Sequence, residues 1–177
     1  MSQPMQSSSE HYRKALAERS SYVENVLIHL LVGALASELW RRDPSTPLSI
    51  FNSEVDDSGF DLVLACRQKL RYLQIKQVHL EGRASKFSIR QDFSLMNGSC
   101  AVVIVHTEDS LSIDHFLFYG GEIDEAMPSI DGNKPSIVPG RRDANGNRKI
   151  RGHYRDIKRS QFKKMSTASE LLDALFG

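Results

Sequence analysis

Three polar side chains occupy two adjoining stretches of the chain that are otherwise apolar. Asp61 opens the first stretch, and Gln74 and Lys76 lie in the second. Strand side chains alternate between two faces, so Gln74 and Lys76 share one face. A two- or four-residue hairpin turn between Arg67 and Leu70 would bring Asp61 opposite or diagonal to them. Opposed Cβ atoms are about 4.5–5.5 Å apart, so the spacing predicts that a carboxylate, an amide and an ammonium group meet.

The apolar surroundings make these polar groups unusual. Phe60 and the run from Leu62 to Leu64 flank the acid, and Ile75 lies beside the lysine. Runs this apolar are typical of strands that are covered on both sides. A charge there is costly unless it is paired or bound to a metal ion. The alternatives are the polar outer face of a surface hairpin and a buried Asp–Lys pair that serves only the structure.

A helix must precede these strands. Apolar residues repeat at three- and four-residue spacing between about His11 and Arg42, either as one helix or as two pieces that meet near Ser20 and Ser21. Apolar residues also spread almost all round the helix, which predicts deep burial. Glu24 lies on the flank of the apolar surface. It is either an acid of the same site or a first-turn glutamate that the helix dipole stabilises.

The remaining patterns predict a mixed order of short elements. A capping box at Ser88–Gln91 predicts the start of a short helix, and a second one at Thr167–Glu170 predicts a final helix. Turn signals predict a long loop over residues 128–149, and Gly152–Phe162 is either a strand or a helix. The predicted strands are Leu48–Phe51, Cys100–His106 and His115–Tyr119.

Length and composition are those of one globular domain. The chain has 177 residues, 40% of them hydrophobic, which is enough for a core. Residues 1–10 are predicted to be a disordered tail. Cys66 and Cys100 have no metal-site spacing, which predicts reduced thiols and a cytoplasmic protein. No signal peptide is expected, and the longest apolar run, Val26–Ala36, is too short to span a membrane.

The net charge of +1 conceals an uneven distribution. Residues 131–164 hold eleven Lys and Arg against three Asp, a net charge of +8, while residues 1–130 carry a net charge of −5. A basic segment on a nearly neutral chain predicts a polyanionic partner, with a solvated basic surface as the alternative.

The element order and the polar residues together resemble the PD-(D/E)xK nuclease superfamily, also called restriction-endonuclease-like. The resemblance is carried by Glu24, by Gly59-Phe-Asp61-Leu-Val-Leu and by Leu73-Gln74-Ile-Lys76, and it covers about residues 20–120. It is also similar to small bacterial families with Gln-x-Lys in place of Glu-x-Lys. Gln74 removes one negative charge from the expected site, which implies weaker metal binding.

The resemblance implies an α/β fold with an αβββαβ core, in which helices flank a central mixed sheet. The basic C-terminal extension and the final helix follow this core and lie outside the resemblance. It implies that Asp61 binds Mg²⁺ (or Mn²⁺) with help from Gln74 and the Ile75 carbonyl. Glu24 would hold or orient a water at the metal, and Lys76 would orient the attacking water or stabilise charge on the phosphate. Mg²⁺ prefers oxygen ligands and needs only one or two carboxylates.

Three functions remain open from the sequence. The first is a Mg²⁺-dependent DNA endonuclease that contacts nucleic acid through basic residues 134–164. The second is a weak or inactive nuclease-fold protein that binds nucleic acid or a protein. The third is a plain α/β interaction domain. The expected organisation is a nuclease-like core at residues 11–125 with a basic loop and C-terminal helix at 126–177, and a homodimer is expected only by analogy.

Overall fold

The computed structural model describes residues 5–52, 59–142 and 146–177. The helices are α1 (Met5–Glu18), α2 (Ser20–Arg42), α3 (Gln91–Ser94) and α4 (Ala168–Phe176), and a short 3₁₀ turn spans Arg159–Gln161. The strands are β1 (Ser49–Asn52), β2 (Leu62–Cys66), β3 (Lys69–His79), β4 (Lys86–Arg90), β5 (Ser99–His106), β6 (Ile113–Gly120), β7 (Pro135–Arg142), β8 (Arg148–Lys158) and β9 (Lys163–Met165).

The protein is a mixed α/β fold built on a central six-stranded sheet. The strand order is β1-β2-β3-β5-β6-β9, in which β3 and β5 are parallel and the other neighbours are antiparallel. One face of this sheet packs against α2 and α4. The other face packs against a second sheet of order β4-β8-β7. The predicted mixed sheet flanked by helices is confirmed at this level.

The hairpin that was predicted from Asp61, Gln74 and Lys76 is present. Strands β2 and β3 pair antiparallel around a two-residue turn, and both turn residues, Arg67 (φ 49°) and Gln68 (φ 66°), have left-handed backbones. Two left-handed residues in succession match the twist of the flanking strands. Regular pairing ends with Leu62 opposite Leu73, and the preceding residue, Asp61, donates its N–H to the same Leu73 carbonyl. Asp61 therefore lies close to Gln74, as the spacing predicted, but outside the regular register.

Helix α2 is buried along one stripe rather than all round. The predicted break is confirmed, because α1 ends at Glu18 and α2 begins at Ser20. The prediction of deep burial is wrong: Trp40 is 69% exposed and Tyr22 63% exposed. By length and composition α2 could also cross a membrane. The residues that pack on the sheet lie one turn apart, and they are Val23, Leu27, Leu31, Leu35 and Leu39.

The small sheet is formed by segments for which the sequence predicted a helix start and a long loop. The segment around Ser88 is strand β4, not the start of a helix, and α3 begins only at Gln91. The predicted loop over 128–149 contains β7. The segment Gly152–Phe162, for which both a strand and a helix were predicted, is part of strand β8 as far as Lys158. Local capping and turn signals were outweighed here because β8 pairs with both β4 and β7.

The termini also refine the predictions. Helix α1 begins at Met5, so the expected tail boundary falls inside a helix, and residues 1–4 lie outside the described part. Thr167 caps α4, since its Oγ1 accepts the N–H of Glu170 at 3.2 Å.

Cys66 and Cys100 are buried free thiols, and burial raises the pKa of Cys100 to about 12. A thiol with so high a pKa stays protonated and unreactive.

A buried arginine fixes β3 against the C-terminal helix. The Arg71 guanidinium donates to the carbonyl of Leu175 at 2.8 Å and to that of Gly121 at 2.9 Å. Two further carbonyls, those of Glu122 and Ala174, accept from it as well. Carbonyls at the end of a helix attract a cation. The strand that carries Gln74 and Lys76 is therefore anchored before it reaches the polar residues.

Candidate functional site

Asp61 lies where β2 begins, and the backbone of β3 fixes its carboxylate. Its N–H donates to the Leu73 carbonyl at 2.8 Å, which extends the pairing one residue beyond β2. Its Oδ2 accepts the N–H of Ile75 at 2.6 Å. The Asp61 carboxylate thus takes the place of a β2 carbonyl as the acceptor for the Ile75 N–H, where the backbone of β2 leaves the sheet.

The carbonyl of Ile75 faces the same edge of β3. N–H and C=O groups of a strand residue point to one side, and the side alternates along the strand. Leu73 directs its carbonyl towards Asp61, so Ile75 directs both its backbone groups there too. The Ile75 carbonyl is therefore directed to the same edge of β3 as the Asp61 carboxylate.

Gln74 and Lys76 lie on the face of the central sheet that is turned towards the small sheet. Gln74 is buried, and its Oε1 accepts the N–H of Arg90 at 3.3 Å. Lys76 is half-buried two residues further on. The Gln74 amide is thus tied to the end of β4, which leaves one lone pair of its oxygen for another partner.

Glu24 approaches from the helix side. It is half-buried on α2, and burial raises the pKa of its carboxyl group; the charge of Asp61 raises it further and the charge of Lys76 lowers it. Both charges therefore reach Glu24. The structure brings Asp61, Gln74 and Lys76 to one cavity wall, whereas Glu24 lies on α2 within the influence of Asp61 and Lys76.

A cavity of about 470 Å³ opens between the two sheets at this point. The central sheet contributes the predicted residues Asp61, Gln74 and Lys76 to its wall, whereas Glu24 lies outside the lining. The opposite wall was missed by sequence reasoning, although the excess of positive charge in residues 131–164 hinted at it. The residues of that wall are Lys86, Phe87 and Ser88 of β4 and Arg151 and Tyr154 of β8.

A bulge in β8 shapes the second wall. Ser136 pairs with Arg151 while the preceding Pro135 pairs with Arg155, so three residues of β8 lie between consecutive pairs. Bulges redirect side chains and are frequent beside active sites. Here the bulge leaves the Arg151 guanidinium over the ring of Tyr154, 4.0 Å from its centroid. The two side chains form one stacked pair.

Behind that wall lies a second polar cluster, around Asp156. This buried carboxylate pairs with Lys86 and accepts hydrogen bonds from Ser88 Oγ at 2.8 Å and from Ser136. Burial alone raises the pKa of Asp156, but its three partners outweigh burial and leave the pKa below its usual value. Asp156 therefore stays ionised and holds β4, β7 and β8 together.

The oxygen donors near Asp61 fit a hard divalent cation. Within residues 5–52, 59–142 and 146–177, no three His, Cys, Asp or Glu side chains converge on one point. Mg²⁺ does not need three, because it keeps several waters and uses one or two carboxylates. Burial raises the pKa of Glu24, and repulsion by the charge of Asp61 raises it further. A cation between or beside them would relieve that repulsion.

The basic segment does not form a single surface. The residues from Arg148 to Arg159 belong to β8 and the turn that follows it, on the small sheet. Lys163 and Lys164 lie on β9, at an edge of the central sheet. Lys163 pairs with Phe118, which packs on the α2 side, so Lys163 shares the face away from the cavity. The geometry therefore divides the predicted contact region 134–164 into two parts.

No protein-family model, no curated protein sequence and no solved structure matches the chain.

Proposed function

We propose that the protein is a metal-dependent nuclease that hydrolyses phosphodiester bonds of DNA. The observation that supports it best is that Asp61 and Lys76 line one cavity and that both their charges act on the pKa of Glu24, from a third element. A perturbed acid next to a cleft that holds an acid and a lysine is typical of a functional site. Phosphodiester hydrolysis needs oxygen ligands for a cation and a positive charge at the phosphate, and this group supplies both.

The fold that we propose for the core is restriction-endonuclease-like. The order α2, β1, β2, β3, α3 and β5 follows the αβββαβ order. Two features depart from it: α3 has only four residues, and strand β4 precedes it. We take β4 as an insertion, because it pairs with β8 rather than with the central sheet.

Asp61 is the principal ligand in this proposal. Its Oδ2 is held by the Ile75 N–H, so the carboxylate is oriented before any ligand arrives. The Ile75 carbonyl and the remaining lone pair of Gln74 Oε1 are the further oxygen donors. A bound Mg²⁺ would lower the pKa of a water molecule and neutralise charge that develops on the phosphate.

Lys76 and Glu24 act on the attacking side. The Lys76 ammonium group stabilises the negative charge on the phosphate oxygens, and it is preoriented on a rigid strand. Glu24 accepts a hydrogen bond from the attacking water and orients it. Because its pKa is raised, Glu24 also accepts a proton more readily than a solvent-exposed glutamate does.

A binding module without cleavage is the second candidate function. Gln74 carries no charge, and its amide oxygen already accepts the Arg90 N–H. Only two carboxylates, Asp61 and Glu24, belong to the described part of the site. A low metal affinity would leave a protein that binds nucleic acid along the small sheet but does not cut it.

Cleavage of plasmid and single-stranded DNA with Mg²⁺ or Mn²⁺ tests the proposal. Asp61→Ala and Lys76→Ala should each reduce the rate by at least about 100-fold. The matched control is Lys163→Ala, an exposed lysine on the far face, which should retain the wild-type rate. Wild-type protein that never cuts but binds DNA in a salt-dependent manner would support the binding module. A protein that neither cuts nor binds would leave only the interaction domain.

A further inference from the structure

The wall of the cavity opposite Asp61 carries a cation that is not neutralised by a described acid. Arg151 is exposed, and among the described residues no carboxylate pairs with it. The Cζ atom of its guanidinium lies over the Tyr154 ring, 4.0 Å from the ring centroid. The outer face of that guanidinium is therefore left for another planar group, since arginine planes stack on bases as aromatic rings do.

The neighbouring cations on this wall have other tasks. The Lys86 ammonium group pairs with the buried Asp156. Arg155 donates to the carbonyl of Gly152 at 2.6 Å and to that of Tyr154 at 3.2 Å, and so holds the bulge of β8 in shape. The bulge, held by these hydrogen bonds of Arg155, thus places Arg151 and Tyr154 at the cavity.

The position of the cavity restricts the form of nucleic acid that can enter. Asp61, Gln74 and Lys76 belong to one layer, and Arg151 and Tyr154 to the other. Packed sheets lie about 10 Å apart, whereas the major groove of B-DNA alone is about 12 Å wide. A duplex is wider than its own major groove and is too wide to enter between the layers, whereas a single strand is narrower and can turn one base towards the Arg151–Tyr154 pair.

We propose that the substrate is single-stranded nucleic acid, with its backbone at Asp61 and Lys76 and one base stacked on the Arg151–Tyr154 pair. The inference rests on the proposed function, because it assigns the reacting phosphate to that site. Stacking suits any base, since every base has a π face. We therefore expect a preference for unpaired strands with little preference for sequence.

Fluorescence anisotropy tests the inference without catalysis. A labelled single strand and the matching duplex are titrated with the protein in EDTA, so that neither is cut. The wild type should bind the single strand at least about tenfold more tightly than the duplex, and Arg151→Ala should weaken single-strand binding by about tenfold. Arg151→Lys keeps the charge but not the planar group, so it should restore only a minor part of the loss.

Matched controls separate stacking from charge and from misfolding. Lys163→Ala removes one charge from the same basic segment and should change the affinity less than twofold. Tyr154→Phe keeps the ring and should bind like the wild type. Duplex binding as tight as single-strand binding would overturn the inference. Full recovery in Arg151→Lys would overturn it too, because charge alone would then explain binding.

The cleavage assay distinguishes the two proposals. A protein that cuts only duplex DNA supports the nuclease and overturns the single-strand inference. A protein that cuts neither form, yet binds single strands through Arg151, overturns the nuclease and leaves the stacking site as that of a binding module.

Discussion

The two polar clusters that face each other across the cavity are built on opposite principles. Asp156, on the small sheet, is buried and is contacted by Lys86, Ser88 and Ser136, and its pKa is lowered. On the central sheet, the charge of Asp61 adds to burial in raising the pKa of Glu24. In the first cluster three partners more than offset the burial of the acid, while in the second Lys76 offsets only part of the effect of burial and of the Asp61 charge on Glu24.

The difference between the two clusters indicates which polar residues stabilise the fold and which are available to bind a ligand. A buried acid with a full set of partners stabilises the fold once it has been formed. Two acids held near each other destabilise the folded protein until a cation binds between or beside them. Such arrangements are typical of functional sites. We therefore expect substitutions around Asp156 to affect stability and those around Asp61 to affect ligand binding.

The largest effect on stability is expected at Asp156. Asp156→Ala leaves Ser88, Ser136 and Lys86 without their shared acceptor. The free energy of unfolding should fall by about 2–3 kcal/mol, since Lys86 remains half-exposed and regains water. Asp61→Ala removes the acceptor of the Ile75 N–H and should cost less, about 1 kcal/mol. Urea denaturation of both variants measures this, and equal losses would contradict the comparison.

The next effect concerns metal affinity. Gln74→Glu adds a carboxylate beside Asp61 and can still accept the Arg90 N–H. Mn²⁺ binding should become roughly tenfold tighter, as measured by isothermal titration calorimetry. The matched control is Gln161→Glu, an exposed glutamine outside the cavity, which should change nothing. No gain in Gln74→Glu over the wild type would count against the assignment of the site.

A smaller gain in stability is expected from the hairpin that sets the register of Asp61. Gln68 has a left-handed backbone (φ 66°) at the second turn position, where glycine is preferred. Gln68→Gly should raise the free energy of unfolding by about 0.5–1 kcal/mol. Gly152→Ala in β8 is a useful contrast, because it leaves this turn untouched. A loss of stability in Gln68→Gly would mean that the turn is held by other contacts.

The smallest effect is a pH dependence from Glu24, which is half-buried and partly screened by solvent. The folded protein binds the Glu24 proton more tightly than the unfolded chain, whose pKa is about 4.5. Stability from this group therefore falls as the pH rises from 4.5 through the raised pKa. Glu24→Gln should remove that slope in thermal melts taken at successive pH values. An unchanged slope would show that Glu24 is not the group responsible.

The central layer could be predicted because its signals are local. The alternation of side chains around Asp61 and Gln74 fixed their common face, and the short turn fixed the register. The spacing of leucines in α2 identified the helix but not its exposed side, since burial depends on which partner the helix meets. The resemblance selected Glu24, whose distance in sequence from Asp61 no local rule could bridge.

The small sheet could not be predicted for the opposite reason. β4 and β8 lie some 60 residues apart and pair only after the chain has folded back. Ser88 looked like a helix cap because serine bonds nearby backbone groups in many contexts, and here it bonds Asp156 instead. The bulge that stacks Arg151 on Tyr154 is likewise a product of pairing with β7.

By itself the sequence determined the β2–β3 hairpin, the existence of α2 and the meeting of Asp61, Gln74 and Lys76, because period and spacing act over a few residues. Tertiary structure alone decided that a second sheet faces this group and that a cavity of about 470 Å³ lies between the layers. Contacts between distant segments depend on the loss of chain entropy and on the surfaces that are buried together. Neither quantity can be read from any single stretch of the chain.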